Sequence, residues 1–84
     1  MTPAARVITE AILEVVRLRD PQANEIRLDH ELVNDLALGS LDLAELAATI
    51  EVRLDRPLFD DVAMNGFVTV GELVEFCEQA QSAG

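Results

Sequence analysis

The sequence predicts an all-α protein: a small four-helix bundle with three longer helices, one short helix and a long loop between the first two. Three observations lead there. Apolar residues recur at helical spacing in three segments, Pro or Gly punctuates the ends of those segments, and no stretch alternates apolar and polar residues as a half-buried strand does. Half of the 84 residues are hydrophobic, which suits a single packed domain over 1–84. With no Trp or Tyr and three Phe, aliphatic side chains must fill most of the core.

Thr2-Pro3 opens the first helix as an N-cap followed by proline at the first helical position. Val7, Ile8, Ala11, Ile12, Val15 and Val16 supply its apolar stripe, and Pro21 stops it. Residues 20 to 39 form the long connection, which Ile26, Leu28, Leu32, Val33 and Leu36 are expected to pin to the core. A loop of that length in so small a domain usually has a function.

Gly39 and Ser40 open the second helix, over 40–54. At about 100° per residue, Leu43, Leu46, Ala47, Ile50 and Leu54 fall on one face, the core face. Leu41, Ala44, Ala48 and Val52 fall on the other, with Glu45 and Glu51 beside them. A merely solvated face would be polar, so an apolar stripe rimmed by carboxylates reads as a docking surface. Pro57 closes the helix, Leu58 and Phe59 are expected to plug the core, and Asp60 to Asn65 reads as the short helix, ended by Gly66. Thr69-Val70-Gly71-Glu72 is a capping box for the last helix, with Val68 and Leu73 at staple spacing. Val70, Leu73, Val74, Phe76 and Cys77 form its buried stripe.

The charge is lopsided: 16 acidic residues against 6 basic, net −10, and every basic residue is Arg. Nucleic-acid binding is excluded for want of a basic patch, and the same field disfavours anionic membranes. No segment is long and apolar enough to span a bilayer and no signal peptide is evident, so cytoplasmic residence is expected. Cys77 stands alone, which rules out an intramolecular disulfide and a thiolate zinc site.

Ser40 has no catalytic company. The single histidine, His30, lies isolated in the loop, no Lys is present, and neither a phosphate-binding glycine loop nor a nucleophile elbow occurs. No catalytic residue and no metal ligand is therefore assigned. A serine at a helix start is well placed to be modified by another enzyme, because helix N-termini favour an attached phosphate.

The run Asp35-Leu36-Ala37-Leu38-Gly39-Ser40-Leu41-Asp42-Leu43-Ala44-Glu45-Leu46 resembles the attachment site of the acyl carrier protein family. The resemblance extends from the capped first helix through Leu28, Leu32, Asp35 and Leu36 to Pro57 and the Thr69-capped last helix. It implies a freestanding, monomeric carrier with a covalent 4'-phosphopantetheine arm on Ser40, attached from coenzyme A by a phosphopantetheinyl transferase. The arm's thiol would hold acyl or aminoacyl groups as thioesters. Partners would be that transferase, a loading ligase or transferase, and downstream synthases with basic docking surfaces. Leu41, Asp42, Ala44, Glu45, Ala48, Glu51 and Val52 match the family's recognition helix. Ala47, Ile50, Phe59, Val62 and Phe67 are candidates to line a space for the acyl chain, or plain core.

Two positions depart from the family pattern. Gly39 stands where Asp is usual, and Val52-Arg53 stands where many fatty acid carriers are acidic. The missing carboxylate at Gly39 points to weaker recognition by a standard transferase or to a different transferase, and Val52-Arg53 points away from the common fatty acid enzymes toward a dedicated carrier in a specialised polyketide, lipid or aminoacyl pathway. Two other readings compete. Asp61 to Glu72 imitates an EF-hand calcium loop, with Asp61, Asn65, Gly66, Thr69 and Glu72 in register, though Ala63 offers no side-chain ligand. A carrier-like interaction module without an arm is the third reading, resting on Gly39.

Overall fold

Helix α1 spans Pro3–Arg17, α2 Ser40–Leu54 and α3 Val70–Ala83, with a short 3-10 turn at Met64–Gly66 before α3. The computed structural model describes residues 2–59 and 64–83. Among these the fold is all-α, and its one β-type feature is an isolated antiparallel bridge between Glu31 and Thr69. The short helix expected over 60–65 appears as that 3-10 turn, and residues 60–63 lie outside the described residues.

Helix α1 packs against both α2 and α3 and so forms the centre of the bundle. Its buried face is Ala4, Ala5, Ile8, Ala11 and Ile12, and the Thr2 hydroxyl accepts from Ala5 N–H to cap it. Leu43, Leu46 and Ile50 of α2 are buried as the helical period requires, and Val70, Leu73, Val74 and Cys77 complete the core from α3. Burial pushes the Cys77 thiol up to about 11, so it is a neutral core residue. All three phenylalanines meet at one end: Phe59, Phe67 and Phe76 have ring centroids 5.3 to 6.5 Å apart.

Helix α3 starts as predicted. Thr69 Oγ1 accepts from Glu72 N–H at 3.1 Å, and Glu72 reaches back to Thr69 N–H at 3.2 Å. Val68, expected as the staple, stays 53% exposed, and its carbonyl instead accepts from Leu32 N–H. Gly71 donates to the Leu28 carbonyl at 2.9 Å, and a Cβ there would meet that oxygen at 3.2 Å, so glycine permits the approach.

Helix α2 ends at Leu54 as expected, but Pro57 is not what stops it. Asp55, in the left-handed region at φ 55°, stops the helix two residues before Pro57. Arg56 N–H bonds the Glu51 carbonyl and Asp55 N–H the Val52 carbonyl, the Schellman pattern with Asp in the place glycine usually takes. The Glu51 carboxylate then accepts from Leu58 and Phe59 N–H at 2.7 and 2.9 Å.

The long connection is held by fewer side chains than predicted. Leu32 and Leu38 are buried, and Ile26 and Leu36 pack partly against the core, while Leu28 and Val33 are exposed. Backbone bonds replace the missing apolar pins: Leu28, His30 and Leu32 all bond to residues 68–71. His30 is not simply solvated, because its Nδ1 accepts from Arg27 N–H at 3.0 Å and closes a loop turn.

Candidate functional site

The bundle delivers Ser40 as the first residue of α2, exposed to solvent. The approach to it is fixed by a chain of bonds. Asp35 accepts from Glu31 N–H at 2.7 Å, Leu38 N–H donates to the Leu32 carbonyl at 3.1 Å, and the Leu38 side chain is buried. Between them Ala37 sits in the left-handed region at φ 56°, which costs a residue with a Cβ about 1–2 kcal/mol. Two left-handed non-glycine residues, Ala37 and Asp55, thus bracket α2 among the described residues.

Gly39 is the N-cap, with extended backbone at φ −91° and ψ −179° that any residue adopts. Having no side chain, it caps nothing in the first turn. The bond runs the other way: Asp42 Oδ2 accepts from Gly39 N–H at 2.9 Å. The same carboxylate pairs with Arg19, whose Nη1 also donates to the Ala37 carbonyl at 2.6 Å. The Gly39 amide first, and the Arg19 guanidinium second, hold the Asp42 carboxyl below the usual aspartate range.

A depression of about 260 Å³ opens beside the serine, lined by Ser40, Leu43, Ala44, Met64 and Asn65. Further along α2, Leu41 and Val52 are 74% and 79% exposed, and Ala44, Glu45 and Ala48 are exposed with them. The predicted second apolar face therefore exists. Glu51, expected beside that face, and Asp42, which the resemblance placed on the recognition helix, spend their carboxylates internally, on Leu58 and Phe59 and on Gly39 and Arg19 respectively. Arg53 pairs with Glu14 of α1 at 2.6 Å. Among the described residues, Glu45 is the carboxylate of that face with no hydrogen bond or ion pair.

Of the residues considered for an acyl-chain space, Ile50 is fully buried and Ala47, Phe59 and Phe67 pack partly against the core; Val62 lies outside the described residues. The EF-hand reading finds its Thr69 and Glu72 bonded to one another as a cap, and Asp61 lies outside the described residues. Among the described residues no three His, Cys, Asp or Glu side chains group as a metal site, and no helix is long and apolar enough to cross a membrane.

Residues 6–77 match the family model of the phosphopantetheine attachment site. An acyl carrier protein from Sulfurovum sp. (strain NBC37-1) is 34% identical over 64 residues, which cover 76% of this chain and 84% of that protein. The chain belongs to the acyl carrier protein family. It is a carrier rather than a catalyst, and its prosthetic group is covalent 4'-phosphopantetheine. The local structure fits that group: an exposed hydroxyl, a helix N-terminus whose cap has no side chain to occupy the first-turn amides, and an apolar hollow alongside. Family membership implies transferases and synthases as partners.

Sequence reasoning placed Ser40 at the start of α2 and located the exposed apolar face, but missed Arg19 and Ala37. Arg19 lies just past α1, 23 residues before Asp42, and no sequence pattern joins the two.

Proposed function

We propose that Ser40 carries the 4'-phosphopantetheine arm and that the protein shuttles acyl or aminoacyl thioesters between separate enzymes of a specialised polyketide, lipid or aminoacyl pathway. One observation carries the reading: Ser40 is the only serine within the matched span 6–77, and it stands exposed at the first residue of α2. In loading, Ser40 Oγ attacks the pantetheine-bearing phosphorus of coenzyme A; the P–O bond within the pyrophosphate breaks, adenosine 3',5'-bisphosphate leaves, and the serine proton passes to the transferase, so a phosphodiester joins the arm to the chain. The bound arm supplies a thiol that holds cargo as a thioester. Cys77 does not compete with that thiol, being buried and protonated.

The chain's own part is to be recognised. Leu41, Ala44, Ala48 and Val52 offer partners an apolar strip next to Ser40, with Glu45 as its one carboxylate unengaged among the described residues. The wider acidity, net −10, speeds encounter with basic docking surfaces, while the strip supplies close contact. The same reading has the carrier acting as a monomer in the cytoplasm.

Intact mass after incubation with coenzyme A, magnesium and a broad-specificity phosphopantetheinyl transferase tests the assignment. The wild type is expected to gain one phosphopantetheine and Ser40→Ala none. A gain by Ser40→Ala would place the arm elsewhere. No gain by either the wild type or Gly39→Asp would favour the unarmed interaction module.

A further inference from the structure

The segment 37–42 that carries Ser40 is held at both ends by one side chain. Arg19 Nη1 donates to the carbonyl of Ala37, three residues before the serine, and Nη2 pairs with the carboxylate of Asp42, two residues after it. The Ala37 contact steadies a backbone in the left-handed region, where a residue with a Cβ is least at ease. The Asp42 contact orients the carboxylate that in turn fixes Gly39 N–H at 2.9 Å. With a glycine N-cap, no cap side chain provides this order locally.

Charge gives the arrangement a second effect. The chain is net −10, and the donor that must approach Ser40 is itself a polyanion. Asp42 is the carboxylate nearest to Ser40 in sequence, and Arg19 neutralises it. The other arginines with partners among the described residues are turned elsewhere: Arg17 to the Ala23 carbonyl, Arg27 to Asp29, Arg53 to Glu14 and Arg56 to the Ala80 carbonyl.

We propose that Arg19 is a positioning residue for arm attachment: it clamps Ala37 to Asp42 so that the Ser40 hydroxyl is presented in one geometry, and it screens the Asp42 charge from the incoming anionic donor. The proposal rests on the reading that Ser40 is the attached residue.

The test compares the wild type, Arg19→Ala, Asp42→Asn and the double variant Arg19→Ala/Asp42→Asn. Loading kcat/KM is measured from intact mass at low and high salt, and amide hydrogen exchange at Gly39 is measured in the unarmed protein. Arg19→Ala is expected to lower kcat/KM roughly fivefold at low salt, the scale of one exposed ion pair. That loss should shrink at high salt. The double variant should recover part of it, because Asn still accepts from Gly39 N–H but carries no charge. Gly39 exchange should quicken in Arg19→Ala.

Wild-type loading and Gly39 exchange in Arg19→Ala would overturn the proposal. So would a double variant as slow as Arg19→Ala at every salt concentration, since a purely structural tether gains nothing from removing the charge. A wild type that gains no mass would instead overturn the assignment of Ser40, and this inference with it. Arg19 is exposed, so all the variants are expected to fold; thermal unfolding verifies it.

Discussion

The N-termini of α2 and α3 are built in opposite ways. At α3, Thr69 and Glu72 satisfy one another's backbone donors, so the terminus is closed by its own sequence. At α2, the half-box runs one way only: Asp42 takes the Gly39 amide, and glycine returns nothing to the first turn. What α2 lacks locally it receives from a distance, through Arg19 and the buried Leu38. A closed terminus serves the fold alone. An open one leaves first-turn amides and an exposed hydroxyl available to a phosphate, which is what a family defined by phosphopantetheine attachment requires.

The largest contrast expected from this comparison is at Thr69. Thr69→Ala removes a side-chain cap and should cost about 1 kcal/mol, lowering Tm by about 4–8 °C in a domain of this size. Loading at Ser40 should be unchanged, because Thr69 belongs to the closed end. Thermal unfolding of the unarmed protein gives the first quantity and intact mass the second. An unchanged Tm would mean that the Glu72 contact to Thr69 N–H closes α3 by itself.

The same two ends show what a sequence reveals and what it withholds. The Thr69–Glu72 box is a local pattern over four residues, and it formed as read. The core face of α2 is periodic, so Leu43, Leu46 and Ile50 were legible, as was Ser40 at the helix start. Period locates a face but not the reach of a long side chain. Glu51 therefore looked like a rim carboxylate, although it turns to the Leu58 and Phe59 amides. The loop has no period, so Leu28 and Val33 could not be told from Leu32 in advance. Left-handed Ala37 and Asp55 carry no glycine to announce them. The Arg19–Asp42 and Arg53–Glu14 pairs join residues 23 and 39 apart, and no local signal links them.

A smaller effect is expected from pH at the open end. The folded-state pKa of Asp42 lies below its ordinary value of 3.8, so between the two the unfolded chain binds the extra proton. The stabilisation by the charged carboxylate is thus full above the ordinary value and lost as pH falls through the lowered one. Asp42→Asn keeps the acceptor for Gly39 and removes the charge. The wild type should be the more stable at about pH 7, with the gap closing as pH falls below 3.8 in denaturant unfolding. Comparing the two proteins at each pH cancels the relief of general repulsion as other carboxylates protonate. A gap that stays constant would show that the charge on Asp42 contributes nothing beyond the hydrogen bond Asn retains.

The smallest expected effect tests whether α2 can be closed as α3 is. A Cβ at position 39 meets nothing nearer than Asp42 Oδ2 at 3.7 Å, and the backbone is extended, so any cap residue fits. Gly39→Ser should complete the box with Asp42 and add a few tenths of a kcal/mol, the usual difference between a serine and a glycine cap. Gly39→Asp should add less, because its carboxylate would stand beside that of Asp42 and share the one guanidinium of Arg19. Chemical unfolding of the three proteins ranks them. If aspartate stabilised as much as serine, the screening assigned to Arg19 would have to be strong enough for two carboxylates. If neither stabilised, the first-turn amides would already be satisfied without a cap, and the contrast between an open and a closed terminus would lose its energetic basis.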